Sequence, residues 1–157
     1  MAEKHPTQTR QPAPAGAAAQ PAVSRWIGVL MLADAITFGI ASYLHLDGRI
    51  PLGFATVTGE NFRGAAIPEA VIGAVLAAAA ALVLAGRARA RPIALAATVF
   101  AIIGTAYGLT VVLRGGGQRT ADLAYHSAIM AALLVTFWLL LRSGGGRAPA
   151  SEPGSPR

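Results

Sequence analysis

The chain has no cysteine, a single lysine, few aromatic residues (6%) and few charged ones (13%) across its 157 residues. The missing cysteine excludes disulfides, thiolate metal sites and thiol redox catalysis, and with them the quinone-coupled thiol oxidoreductases, which are also small helical membrane proteins. The low charge content stands against 54% hydrophobic residues, and a chain this short has no way to hide so much apolar surface in water. Nucleic acid is discounted as a partner. The formal charge is +6, but Lys4 and the twelve arginines sit in the tails and between apolar runs, with no basic stripe and no aromatic platform. The Ala-, Gly- and Pro-rich composition fits a GC-rich bacterial source.

What the chain does have is four apolar runs near the roughly 20 residues that cross about 30 Å of hydrocarbon. They cover about residues 26–46, 67–85, 92–113 and 121–141. A barrel would need alternating strands, so the expectation is an all-α polytopic membrane protein, with four transmembrane helices in an up-down bundle over residues 25–142. Pro68 and Pro92 suit first helical turns, Thr120 suits a cap of the fourth helix, and "RSGGG" suits its end. Residues 1–24 and 143–157 lack apolar periodicity and read as disordered cytoplasmic tails. The first apolar run reads as a retained anchor, since no short h-region with a cleavage site precedes it.

Basic residues set the expected orientation. Lys4, Arg10, Arg25, Arg87, Arg89, Arg91, Arg142, Arg147 and Arg157 fall on one side of such a bundle, and only Arg49, Arg63, Arg114 and Arg119 on the other. The positive-inside rule then puts both termini in the cytoplasm of a bacterial plasma membrane, with Trp26 and Trp138 near the inner interface. Small residues four apart, Gly104 with Gly108 and Ala35 with Gly39, predict close helix packing.

In this topology the outer ends gather polar residues from distant positions: Tyr43, His45, Glu69, Tyr107, Arg114, Asp122, Tyr125 and His126. Several have plain structural readings. Glu69 and Asp122 in first turns complement a helix dipole, His45 can mark an interface, and Tyr107 and Tyr125 can pack there. His126 lies inside an apolar run, and Asp122 four residues earlier places a carboxylate beside its imidazole. His45, Glu69 and His126 together form a two-histidine, one-carboxylate set suited to a transition metal, and His45 with His126 is a possible haem ligand pair. The plainer expectation is no cofactor and a hydrogen-bonded network tying the helices. The long connection "DGRIPLGFATVTGENFRGAA" is suited to folding back over the outer mouth as a lid.

Asp34 sits near the middle of the first span, where an ionised carboxylate costs roughly 2.5–3.5 kcal/mol on insertion scales. With no Lys or Arg at that depth, it must be protonated, bonded to a group such as Thr98 or Thr136, or paired by another molecule. It shares a helix face with Phe38, Ala41, Ser42 and His45, because eleven residues turn about 1100°, some 20° past three turns.

The strings "SYLHLDGRIPLGF", "AAIPEAVIGAVLA" and "LAYHSAIMAALLV" resemble a group of uncharacterised small bacterial four-helix integral membrane proteins with LH, IPEA and YH elements in that order, and the outline is similar to that of DoxX-like proteins. The resemblance implies a membrane location and points to His45, Glu69 and His126. Three functions remain open: an accessory or structural membrane component in contact with lipid and with a membrane partner or a second copy, a metal- or haem-dependent redox protein, and a proton, ion or small-solute transporter using Asp34.

Overall fold

The structure, a computed structural model, describes residues 23–59, 61–115 and 119–143, without the side chain of Arg119. The expected tails therefore lie outside the described residues, apart from Val23, Ser24 and Ser143. Four helices make up most of the described chain: α1 (Arg25–Leu44), α2 (Arg63–Leu84), α3 (Ala90–Leu113) and α4 (Arg119–Arg142). Each is long and apolar enough to cross a membrane. Consecutive helices pack against one another, and α1 also touches α4.

Small residues determine the tightest packing. A Cβ at Gly73 would lie 3.1 Å from the Ala35 carbonyl and 3.6 Å from the Gly39 nitrogen, so α1 and α2 meet backbone to backbone where the Ala35/Gly39 pair was expected to act. Gly104 and Gly108 serve differently. A side chain at Gly104 would collide with Ile72 of α2, and one at Gly108 would sit 2.5 Å from His126 Nε2 of α4, so both glycines make room for a partner's side chain. The Ala-rich α2 buries Ala79, Ala80 and Leu76 against the core of Met31, Phe38, Leu133 and Leu140, while Val71 and Val75 face outward.

Three boundaries differ from expectation. The connection after α1 is partly ordered as an antiparallel ribbon, β1 (Arg49–Pro51) paired with β2 (Thr56–Thr58) in the register Ile50 with Val57. Gly59 follows it so close to the Leu44 backbone that any Cβ would overlap the Leu44 carbonyl. In α2 the helix begins a turn early, at Arg63, which puts Pro68 inside it rather than in its first turn. Lacking an N–H, Pro68 cannot engage the Gly64 carbonyl as a normal helical residue would. Thr120 likewise lies within α4 and not at its cap.

The end of the molecule where α2 and α4 finish is closed by a basic side chain. Arg91 Nε and Nη2 donate to the carbonyls of Leu140 and Leu141 at 3.1 and 3.2 Å, satisfying acceptors that the last turn of α4 leaves free. The Arg142 guanidinium lies 3.7 Å from the ring centre of Trp138.

Candidate functional site

The opposite end, where α1 and α3 finish and α2 and α4 begin, holds the polar residues. His45 follows the last turn of α1, and its Nδ1–H donates to Glu69 Oε2 of α2 at 2.7 Å. Its Nε2 lies 3.9 Å from Asp122 Oδ1 of α4. The bond to Glu69 is the main reason that the His45 pKa is raised above 6.5; burial works against it, and the negative charges of Glu69 and Asp122 add to it. Residues from three helices, up to 77 positions apart in sequence, are thus joined through one imidazole.

Glu69 lies in the second turn of α2, because that helix starts early, and it is 5% exposed. The first-turn dipole reading therefore does not apply to it. Asp122 does occupy the first turn of α4. Glu69 Oε1 has no hydrogen-bond partner among the described residues, and the Tyr125 hydroxyl is the other buried polar atom in that condition. A buried, unpaired carboxylate oxygen is costly, which makes Glu69 the most conspicuous group in the fold.

His126 is buried, but its partner is not the one expected. Its Nδ1–H donates to the backbone carbonyl of Asp122 at 2.7 Å, while the Asp122 carboxylate is directed toward His45. A carbonyl only accepts, so the neutral ring carries its proton on Nδ1 and leaves Nε2 as an acceptor. Tyr125 stacks edge-on against both Phe38 and His126. Arg114, expected in the cluster, is exposed at the end of α3 and lines neither cavity, and Tyr107 is 68% exposed at the rim.

Two cavities flank the ion pair. The first, about 210 Å³, is lined by His45, Glu69, Asp122 and His126 with an apolar wall of Phe38, Phe62, Ile72, Val111 and Val112. Its exposed lining residues, Gly64, Pro68 and Tyr107, place the mouth between α2 and α3. The second, about 260 Å³, lies between α1, α4 and the ribbon, where Val57 and Thr58 of β2 form part of the wall. His45, Phe62 and Asp122 line both. The ribbon expected as a lid therefore borders the second cavity, while the first opens beside it.

The metal and haem sets do not fit this arrangement. Both nitrogens of His45 face carboxylates, Nδ1 of His126 is held by its own helix, and its Nε2 packs on the bare backbone of Gly108. Among the described residues, no three His, Asp or Glu side chains are placed to share a metal ion. A macrocycle is far larger than the first cavity, which lies below the roughly 300 Å³ at which ordinary ligand pockets begin.

Asp34 is separate from this site. Its Oδ2 accepts a bond from Thr136 Oγ1 of α4 at 3.2 Å, one of the two partners anticipated, whereas Thr98 donates to the Ala94 carbonyl of its own helix. Phe38, one turn nearer the polar end, lines the first cavity, and Asp34 lines none of the cavities described. Ser42, on the helix face expected to be shared by Asp34 and His45, donates to the Ala66 carbonyl at 2.7 Å and ties α1 to α2, a bond that the sequence did not specify. No family model, curated protein or solved structure matches the chain.

Proposed function

We propose that the chain is a multi-pass protein of the bacterial plasma membrane, an up-down bundle with both termini cytoplasmic, and an accessory component that binds a small molecule in a chamber at its outer face. This reading keeps the resemblance to the small four-helix proteins with LH, IPEA and YH elements, whose matching positions here are His45, Glu69 and His126. One observation carries the binding role: Glu69, almost wholly buried, lines a cavity with one carboxylate oxygen unpartnered. A purely structural network would be expected to satisfy both oxygens, because partial satisfaction costs more than an apolar replacement. The transporter reading has less support, since Phe38 stands between Asp34 and the chamber and no bonded chain of polar groups joins the two.

The absence of cysteine makes the test clean. Val111 lines the chamber and Leu76 is fully buried in the core. In intact cells, Val111→Cys should react with a small membrane-impermeant thiol reagent added from outside, and Leu76→Cys should not. Equal silence of both variants would remove the outward-open chamber. Reaction only in inverted vesicles would reverse the orientation.

A further inference from the structure

We infer that the chamber takes a small organic ammonium, a protonated primary amine carried on a compact apolar body. The inference rests on the chamber being a ligand site, as proposed above, and it concerns the chemistry of the occupant. The charged side chains that line the chamber beside His45 are two carboxylates, Asp122 and Glu69, whose Oε1 has no hydrogen-bond partner. No Lys or Arg side chain lines either cavity, so the ion pair with His45 is the only cationic counterweight among the described lining residues. The lining thus sets two carboxyl groups, Glu69 and Asp122, against the one imidazole of His45.

An anion would face two carboxylates with no Lys or Arg side chain in the lining, and a neutral apolar molecule would leave Glu69 Oε1 as it is, buried and unpaired. A primary ammonium carries a positive charge, three donors and no acceptor, the complement of a pair of carboxylates. The rest of the lining matches the remainder of such a molecule. Phe38, Phe62, Ile72 and Val112 provide the apolar wall, and about 210 Å³ admits one ring or a short alkyl chain. The mouth at Gly64, Pro68 and Tyr107 opens between α2 and α3 near the end of the spans, where an amphiphilic amine concentrates in the bilayer interface.

The test uses the full chain in lipid nanodiscs, with empty discs subtracted, and calorimetric titration at neutral pH with benzylamine, benzyl alcohol and benzoate. Benzylamine should bind about tenfold or more tightly than its neutral isostere, and benzoate should give no heat. Glu69→Gln should weaken benzylamine about tenfold or more and leave benzyl alcohol unchanged. Asp122→Asn, at a less buried carboxylate, should weaken benzylamine too and serves if Glu69→Gln fails to fold. Equal binding of benzylamine and benzyl alcohol overturns the ammonium and leaves the chamber standing. Failure of all three compounds overturns the ammonium as well; the chamber falls with it only if Val111→Cys is also unreactive.

Discussion

Two buried carboxyl groups lie on facing helices of this small protein and are treated in opposite ways. Asp34, at mid-span, accepts a bond from Thr136 of α4, and no described cavity touches it. Glu69, nearer the end, has one oxygen engaged by His45 and the other unpartnered beside a cavity. The contrast separates a polar group used to join helices from one held ready for something else. Burial alone does not distinguish them, because the two residues are 6% and 5% exposed. The difference lies in the surroundings: a hydroxyl from a facing helix at Asp34, and at Glu69 a cavity beside a buried oxygen without a partner.

The largest expected effect comes from breaking the partition between the two regions. Phe38→Ala should remove about 3–5 kcal/mol, as for other buried Phe truncations, and open the Asp34 pair toward the chamber. Thermal unfolding in detergent checks this, and a loss under about 1 kcal/mol would mean that Phe38 is no plug. Next is Thr136→Val, which strips Asp34 of its donor and should cost about 1–3 kcal/mol, whereas Thr98→Val, which loses only a bond to its own helix, should cost less. Equal losses would erase the distinction between a partner across helices and a bystander.

A smaller effect should appear with pH. The His45 pKa is raised by its bond to Glu69, so this pair contributes stability that is complete below the unfolded value of about 6.5 and is lost as pH rises through the higher folded value. The melting temperature should decline across that window in the wild type and stay flatter in Glu69→Gln. No change is expected from Arg147→Ala, in the stretch read as a tail, either in melting temperature or in benzylamine binding.

Much of this organisation was legible in the residues. Apolar run length located four helices to within a few positions, since that signal depends only on summed hydrophobicity. The lack of any cation at the depth of Asp34 reduced its intramolecular partners to hydroxyls, and Thr136 is the one used. The meeting of His45, Glu69 and Asp122 followed from which helix ends share a side. Less legible was the choice between nearby acceptors. The spacing of Asp122 and His126 suits the carboxylate and the backbone carbonyl equally, and the side chain's rotation, set by His45 across the gap, decides for the carbonyl. The early start of α2 is not legible in the residues either, because Phe62 at its cap provides no side-chain bond and Pro68 imitates a helix start. The β1–β2 ribbon has mixed apolar and turn residues that carry no clear period, and the reach of Arg91 to the end of α4 depends on packing that no local pattern encodes.

Nuclear magnetic resonance titration of the His45 imidazole addresses the central claim, that His45 and Glu69 form an ion pair beside an open acceptor at the helix ends. The wild-type pKa should lie above 6.5 and should fall in Glu69→Gln, with the Nδ1–H signal weakened. An unshifted His45 that titrates identically in both proteins would contradict the pairing, and the chamber built around it would lose its foundation.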